Sequence, residues 1–182
     1  MADGAAKLWV KVTWPEPMST NPAYRILAVE VRAGRFGYAV LETPRKLRDF
    51  GASEFDSTVT ARIRIARLLR LSRPSIVVLR GASLRYRQKS RHRRPIIRVI
   101  RGEARKLNIS VARVSEQQLN SFFERFGCRE KYSVAVLVAK WFPEISWRLP
   151  TKPKFYEPEP RALLYFDSIA LAIAYPGTIN ES

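Results

Sequence analysis

The two residues of this chain best placed for chemistry are carboxylates in apolar surroundings. Glu30 stands among Leu27, Ala28, Val29 and Val31, and Asp167 is the only charge in YFDSIALAIAY. A charge in such a setting is costly unless something compensates it, and a metal ion is one such compensation. Acids that hold two metal ions about 4 Å apart support hydrolysis of phosphodiesters. Glu30 and Asp167 are therefore the candidate catalytic and metal-binding pair. Glu103, Glu157 and Glu159 are further acids that could fold back to complete a ligand set. Each also has a plain structural alternative, because an acid near a helix N-terminus serves as a cap and loop acids are usually solvated.

Other reaction types find no support. Cys128 is the only cysteine, which excludes an intramolecular disulfide and a cysteine-based zinc site and fits a reducing cytoplasm. His92 is the only histidine and is flanked by Arg91, Arg93 and Arg94, a setting for a phosphate contact or a solvated side chain rather than a metal ligand. No nucleophile–histidine–acid spacing occurs, and no glycine pattern forms a phosphate cradle.

The charge balance points to a polyanion. The 182 residues carry 33 Lys and Arg against 16 Asp and Glu, a net charge of +17. Nucleic acid is the first partner such an excess implies, ahead of an anionic membrane surface. No apolar run approaches the roughly 18 residues of a bilayer span, so a cytoplasmic protein without a membrane segment is expected. The charge concentrates in Arg80 to Arg101, RGASLRYRQKSRHRRPIIRVIR, with eight Arg, one Lys and no acid. Arg80, Arg85, Arg87, Lys89, Arg91, His92, Arg93, Arg94 and Arg98 are candidate phosphate contacts, and Tyr86 could stack on a base. The alternative is a flexible solvated loop, which would still attract nucleic acid by counterion release.

The elements that must position these residues alternate. Residues 1–23 read as an extended arm containing Pro15, Pro17 and Pro22, and 177–182 as a short tail. Two strands with a turn at Ala33, Gly34 and Arg35 fill Arg25 to Glu42, and DFGASEFD reads as a third, irregular strand. Ser57 caps a helix with Val59, Ile63, Ala66 and Leu69 on one face. SIVVL and ISVARV read as short buried strands, separated by a helix over Pro95 to Leu107. Ser115 and Gln118 open a helix as a capping box, Arg129 to Phe142 forms another, and a last apolar helix from Arg161 ends at Pro176 and Gly177. The expected fold is an α/β domain over 24–176 with a mixed sheet.

The order of these motifs carries a resemblance. RILAVEVRAGRFGYAVLE is similar to the opening strand, acid, glycine turn and second strand of the RuvC-like Holliday-junction resolvases, within the RNase H-like superfamily. SIVVLRGAS resembles the strand that in that family ends in a catalytic Glu. CREKYSVAVLVAKWF resembles its Lys-led helix, and FDSIALAIAY its last motif. The resemblance implies an RNase H-like mixed sheet with an antiparallel N-terminal hairpin, parallel strands and flanking helices. It also implies homodimers that cut branched DNA with Mg²⁺ or Mn²⁺, with Lys131 at the nucleic acid. Three positions depart from that pattern: Glu30 replaces an Asp, and Arg80 and Leu164 stand where acids should be. Two carboxylates would ligate two metals poorly, and Arg80 would put positive charge where a cation belongs. Three readings follow. The first is a protein that binds branched DNA with a degenerate nuclease site, Glu30 being held by Arg80. The second is an active endonuclease using Glu30, Asp167 and a recruited Glu. The third is an interaction scaffold using the arm and the Trp141 to Tyr156 loop.

Overall fold

A run of apolar residues makes β1 (Ile26–Arg32), and Gly34, at φ 68°, turns the chain back into β2 (Arg35–Leu41). The computed structural model describes residues 24–42, 46–81, 93–154 and 156–179, with side chains through 175. The arm at 1–23 and the basic stretch 82–92 lie outside them. Strand β3 (Leu47–Glu54) completes an antiparallel meander, and α1 (Thr58–Ser72) crosses over to β4 (Ile76–Arg80). There follow α2 (Arg93–Lys106), β5 (Ser110–Val114), α3 (Glu116–Glu124), α4 (Lys131–Trp141), a 3₁₀ turn at Pro143–Arg148, and α5 (Leu163–Ile179). The sheet order is β3-β2-β1-β4-β5, with β4 and β5 parallel to β1. This is the mixed sheet with an N-terminal hairpin that the sequence predicts.

Strand periodicity divides the core in two. On β1, Leu27, Val29 and Val31 pack with Ala61, Ile65 and Leu69 of α1 and Ile96 and Ile100 of α2. Ile26 and Ala28 belong to the other layer, with α3, α4 and α5. Glu30 and Arg32 follow in the same two-residue step, so their strand face is the one that α5 covers. Helix α5 is buried nearly all round, as expected of a helix between a sheet and an outer helical layer.

Two local expectations change. On α1, Val59 and Ile63 are exposed at 66% and 65%, while Ala61, Ile65 and Leu69 face the sheet. The helix carries two apolar stripes at helical spacing, and periodicity alone does not choose between them. Helix α5 runs to Ile179 rather than ending at Pro176; a helical proline removes one backbone hydrogen bond, which here does not stop the helix. The caps at Ser57 and at Ser115 with Gln118 form as the sequence predicts.

Gly37 sets the distance between sheet and α5. It lies opposite Glu30 in the β1–β2 register. A Cβ there would stand 2.6 Å from both Leu164 Cγ and Ser168 Oγ, and 2.9 Å from the Leu164 carbonyl oxygen. Gly37→Ala is therefore expected to destabilise the protein by about 1–3 kcal/mol through overpacking, read by denaturant unfolding. An unchanged midpoint would show that α5 can move away from β2 at little cost.

Candidate functional site: an arginine-filled acid cluster

Glu30 ends up 1% exposed, next to the ends of β1 and β4. The parallel pairing of Val29 with Leu79 brings the following residues, Glu30 and Arg80, side by side. Arg80 Nε donates to Glu30 Oε2 at 2.7 Å, and Arg93 donates through its terminal nitrogen to Oε1. Arg93 also donates Nε to the Val31 carbonyl at 2.6 Å, tying the start of α2 to the end of β1. Both oxygens of Glu30 are therefore occupied by guanidinium groups.

Asp167, on the first turns of α5, lies in the same network. It accepts from Arg32, whose same nitrogen reaches Glu159 Oε1 at 2.8 Å and whose Nε lies 4.0 Å from Glu30 Oε1. That Nε is buried without a hydrogen-bond partner among the described residues. Lys131, at the start of α4, meets Glu159 Oε2 at 3.0 Å and Asp167 at 3.9 Å. Four cations thus face three carboxylates, Glu30, Asp167 and Glu159.

Burial pushes the Asp167 carboxyl up, helped by Glu30 and opposed by Lys131, Arg32 and Arg80. Burial pulls Arg32 down, but Asp167, Glu159 and Glu30 outweigh it and leave the guanidinium above its ordinary value. Arg80 behaves alike, burial being outweighed chiefly by Glu30 and Asp167. Glu159 ends below its ordinary range because Arg32 and Lys131 outweigh its burial.

The remaining candidate acids are not brought here. Glu103 faces away on α2 and pairs with Lys106 at 2.7 Å, and Glu157 accepts from the Lys154 backbone within its own turn. Of the candidate phosphate contacts, Arg80, Arg93 and Lys131 are paired with carboxylates inside the fold. The cause is the depth of Glu30 and Asp167, whose charges need partners within the fold. Arg94 and Arg98 are exposed on α2. Arg85, Tyr86, Arg87, Lys89, Arg91 and His92 fall outside the described residues. Arg32 is the residue that sequence reasoning missed, although its two-residue step from Glu30 on one strand signals a shared face. Leu164 is buried at 3% over Gly37, so the position where the resemblance expects an acid is a packing contact. Trp147 is 69% exposed beneath the Arg148 guanidinium, 4.1 Å from its ring centroid.

The donor set does not fit a divalent metal. Among the described residues no three His, Cys, Asp or Glu side chains gather as a ligand group. Both oxygens of Glu30 and Oδ2 of Asp167 carry guanidinium groups, and the local charge is positive rather than negative. A guanidinium supplies charge and hydrogen bonds but has no coordination position from which to activate water.

The architecture is an α/β fold of the RNase H-like class. Within that class its fold is that of the RuvC-like Holliday-junction resolvases. Thermus thermophilus RuvC in complex with a Holliday junction substrate matches with a TM-score of 0.62 at 14% identity, over 87% of this chain and 96% of that one. The yeast mitochondrial Holliday junction resolvase Ydc2 matches with a TM-score of 0.56 at 9% identity, over 88% and 83%. The fowlpox virus resolvase, solved with Holliday junction DNA, matches with a TM-score of 0.51 at 17% identity, over 82% and 97%. No protein-family model matches the sequence, and a search of curated proteins finds no match. At these identities the likeness establishes the fold.

Removing the carboxylate of Glu30 leaves Arg80 and Arg93 against an uncharged partner. Glu30→Gln is expected to cost on the order of 3 kcal/mol. For a domain of this size that lowers Tm by roughly 6–12 °C. Replacing Glu30, Arg80 and Arg93 together by Met should recover most of the loss, since apolar packing often substitutes for a buried ion pair. Calorimetry on the single and triple variants checks both; a single variant as stable as the parent would show that the network contributes nothing.

Proposed function

We propose that the protein binds branched or otherwise structured DNA through its basic surface and does not cleave it by a metal-dependent route. The observation that carries the second half is the pairing of both Glu30 oxygens with Arg80 and Arg93. Support for the first half comes from the net charge of +17 and from a fold shared with resolvases solved on Holliday junctions. A cleaving site of this type must be negative enough to concentrate two divalent cations. This one is positive, and attracts phosphate instead. Binding would then proceed by release of counterions from the DNA backbone as arginine and lysine replace them.

A second reading has one observation in its favour: Glu159 turns back from its loop toward Asp167, sharing Arg32 with it. On that reading DNA would draw the arginines onto its phosphates, freeing Glu30, Asp167 and Glu159 for Mg²⁺ or Mn²⁺. No helix among the described residues is long and apolar enough to cross a membrane.

The two readings separate in one assay on a labelled four-way junction. Affinity is expected to fall about 10³-fold or more between roughly 50 and 200 mM salt, as for proteins making six or more phosphate contacts. With millimolar Mn²⁺ the junction should remain uncut. Binding indifferent to salt would remove the electrostatic basis of the proposal. Nicking that disappears in Asp167→Asn would establish the second reading in its place.

A further inference from the structure

Outside the acid cluster, the strongest charged feature among the described residues lies on α2. Arg94, Arg98, Arg101 and Arg105 recur at steps of four, three and four residues and are all exposed. That spacing places them on one helical face. They line a groove of about 960 Å³ between α2 and β5, with Arg113 on the strand side and Arg80 also on its wall. Among the described residues no carboxylate lines it. Glu103, on the same helix, is buried and bound to Lys106. β5 is the last strand of the described sheet, so among the described residues no further strand pairs with it along this wall of the groove.

Gly102 adds a second, independent sign. It sits mid-helix in the groove wall, where glycine is less favourable than alanine. A Cβ there would meet no described atom within 4 Å, so packing within the described fold does not require its missing side chain. A ligand that approaches the helix backbone does have a use for it.

We propose that the α2–β5 groove is a second contact for the phosphate backbone of nucleic acid, adjoining the acid cluster at Arg80. This rests on the nucleic-acid reading above and assigns it a surface. The four helix arginines span about 16 Å of axis. That covers roughly five phosphates along one strand of a duplex. Each guanidinium offers a planar fork of donors suited to phosphate oxygens. A second copy of the same face would meet it with like charge. A protein partner would find little to bury, because the apolar lining, Ile97, Ile109 and Val111, is already packed against the core.

The test compares wild type with the triple variant Arg98→Gln, Arg101→Gln, Arg105→Gln on a four-way junction and a plain duplex across a salt series. Each phosphate contact contributes about 0.9 to the slope of log affinity against log salt. The triple variant should therefore lose about 2–3 from that slope, while the corresponding triple lysine variant keeps it. Gly102→Gln adds bulk without charge, and should weaken binding with the slope unchanged. Circular dichroism melts establish that each variant folds; if the triple does not, single glutamine variants should each lose about 0.9. Wild type that binds with the same slope and affinity as folded glutamine variants overturns the groove and leaves the DNA reading intact. Wild type that binds no nucleic acid overturns both. Tighter binding of polyglutamate than of DNA, lost in the triple variant, would overturn the proposal in favour of an acidic protein segment.

Discussion

The pairing of Glu30 with Arg80 and Arg93 is the constraint around which the rest of this molecule is arranged. A carboxylate that is 1% exposed cannot stay charged without partners inside the fold, and the partners come from β4 and α2. Arg93 fixes where α2 begins, by holding both Glu30 and the Val31 carbonyl. Arg32 extends the network to α5 and to the loop before it, and Lys131 extends it to α4. One buried charge thereby fastens five separate parts of the chain at the same end of the sheet. Buried ion pairs of this kind add little net stability over apolar packing, yet breaking one is expensive.

The same arrangement determines which chemistry is open to the site. Metal-dependent phosphodiester cleavage relies on cations that coordinate water and lower its pKa. Arginine can neutralise a phosphate but cannot do this, because a guanidinium has donors and no vacant ligand position. On the proposed reading, guanidinium groups balance the charge of the acids in place of metals, and the step that activates water has no agent. Leu164, where the resemblance places an acid, packs instead over the room that Gly37 leaves. The outward-facing arginines of α2 differ from those of the cluster, since among the described residues no carboxylate lines their groove.

Much of this was legible beforehand because it depends on local rules. The hairpin, the order of strands and helices, and the caps at Ser57 and Ser115 follow from strand alternation, turn glycine and capping chemistry. The polarity of α1 was not legible, since Val59 and Ile63 keep helical spacing as well as Ala61 and Ile65 do, and only the tertiary packing decides between them. The cluster was half visible: Glu30, Asp167 and Arg80 stand out by residue type in apolar runs. Arg32 does not, because arginine in a basic chain is unexceptional until folding brings it beside the acids, and Glu159 and Arg93 were candidates whose place in the cluster only folding decides. Glu103 failed as a candidate for the converse reason, its helix turning it toward Lys106 and Arg62.

Guanidinium groups standing in place of metal ions would leave no site for Mn²⁺, and binding of that ion reports this without reliance on cleavage. Titration of the purified protein, followed by calorimetry and by the electron paramagnetic resonance of free Mn²⁺, should show no stoichiometric uptake at millimolar metal, with or without junction DNA beyond what the DNA alone takes up. Stoichiometric Mn²⁺ binding that is lost in Asp167→Asn would contradict the account.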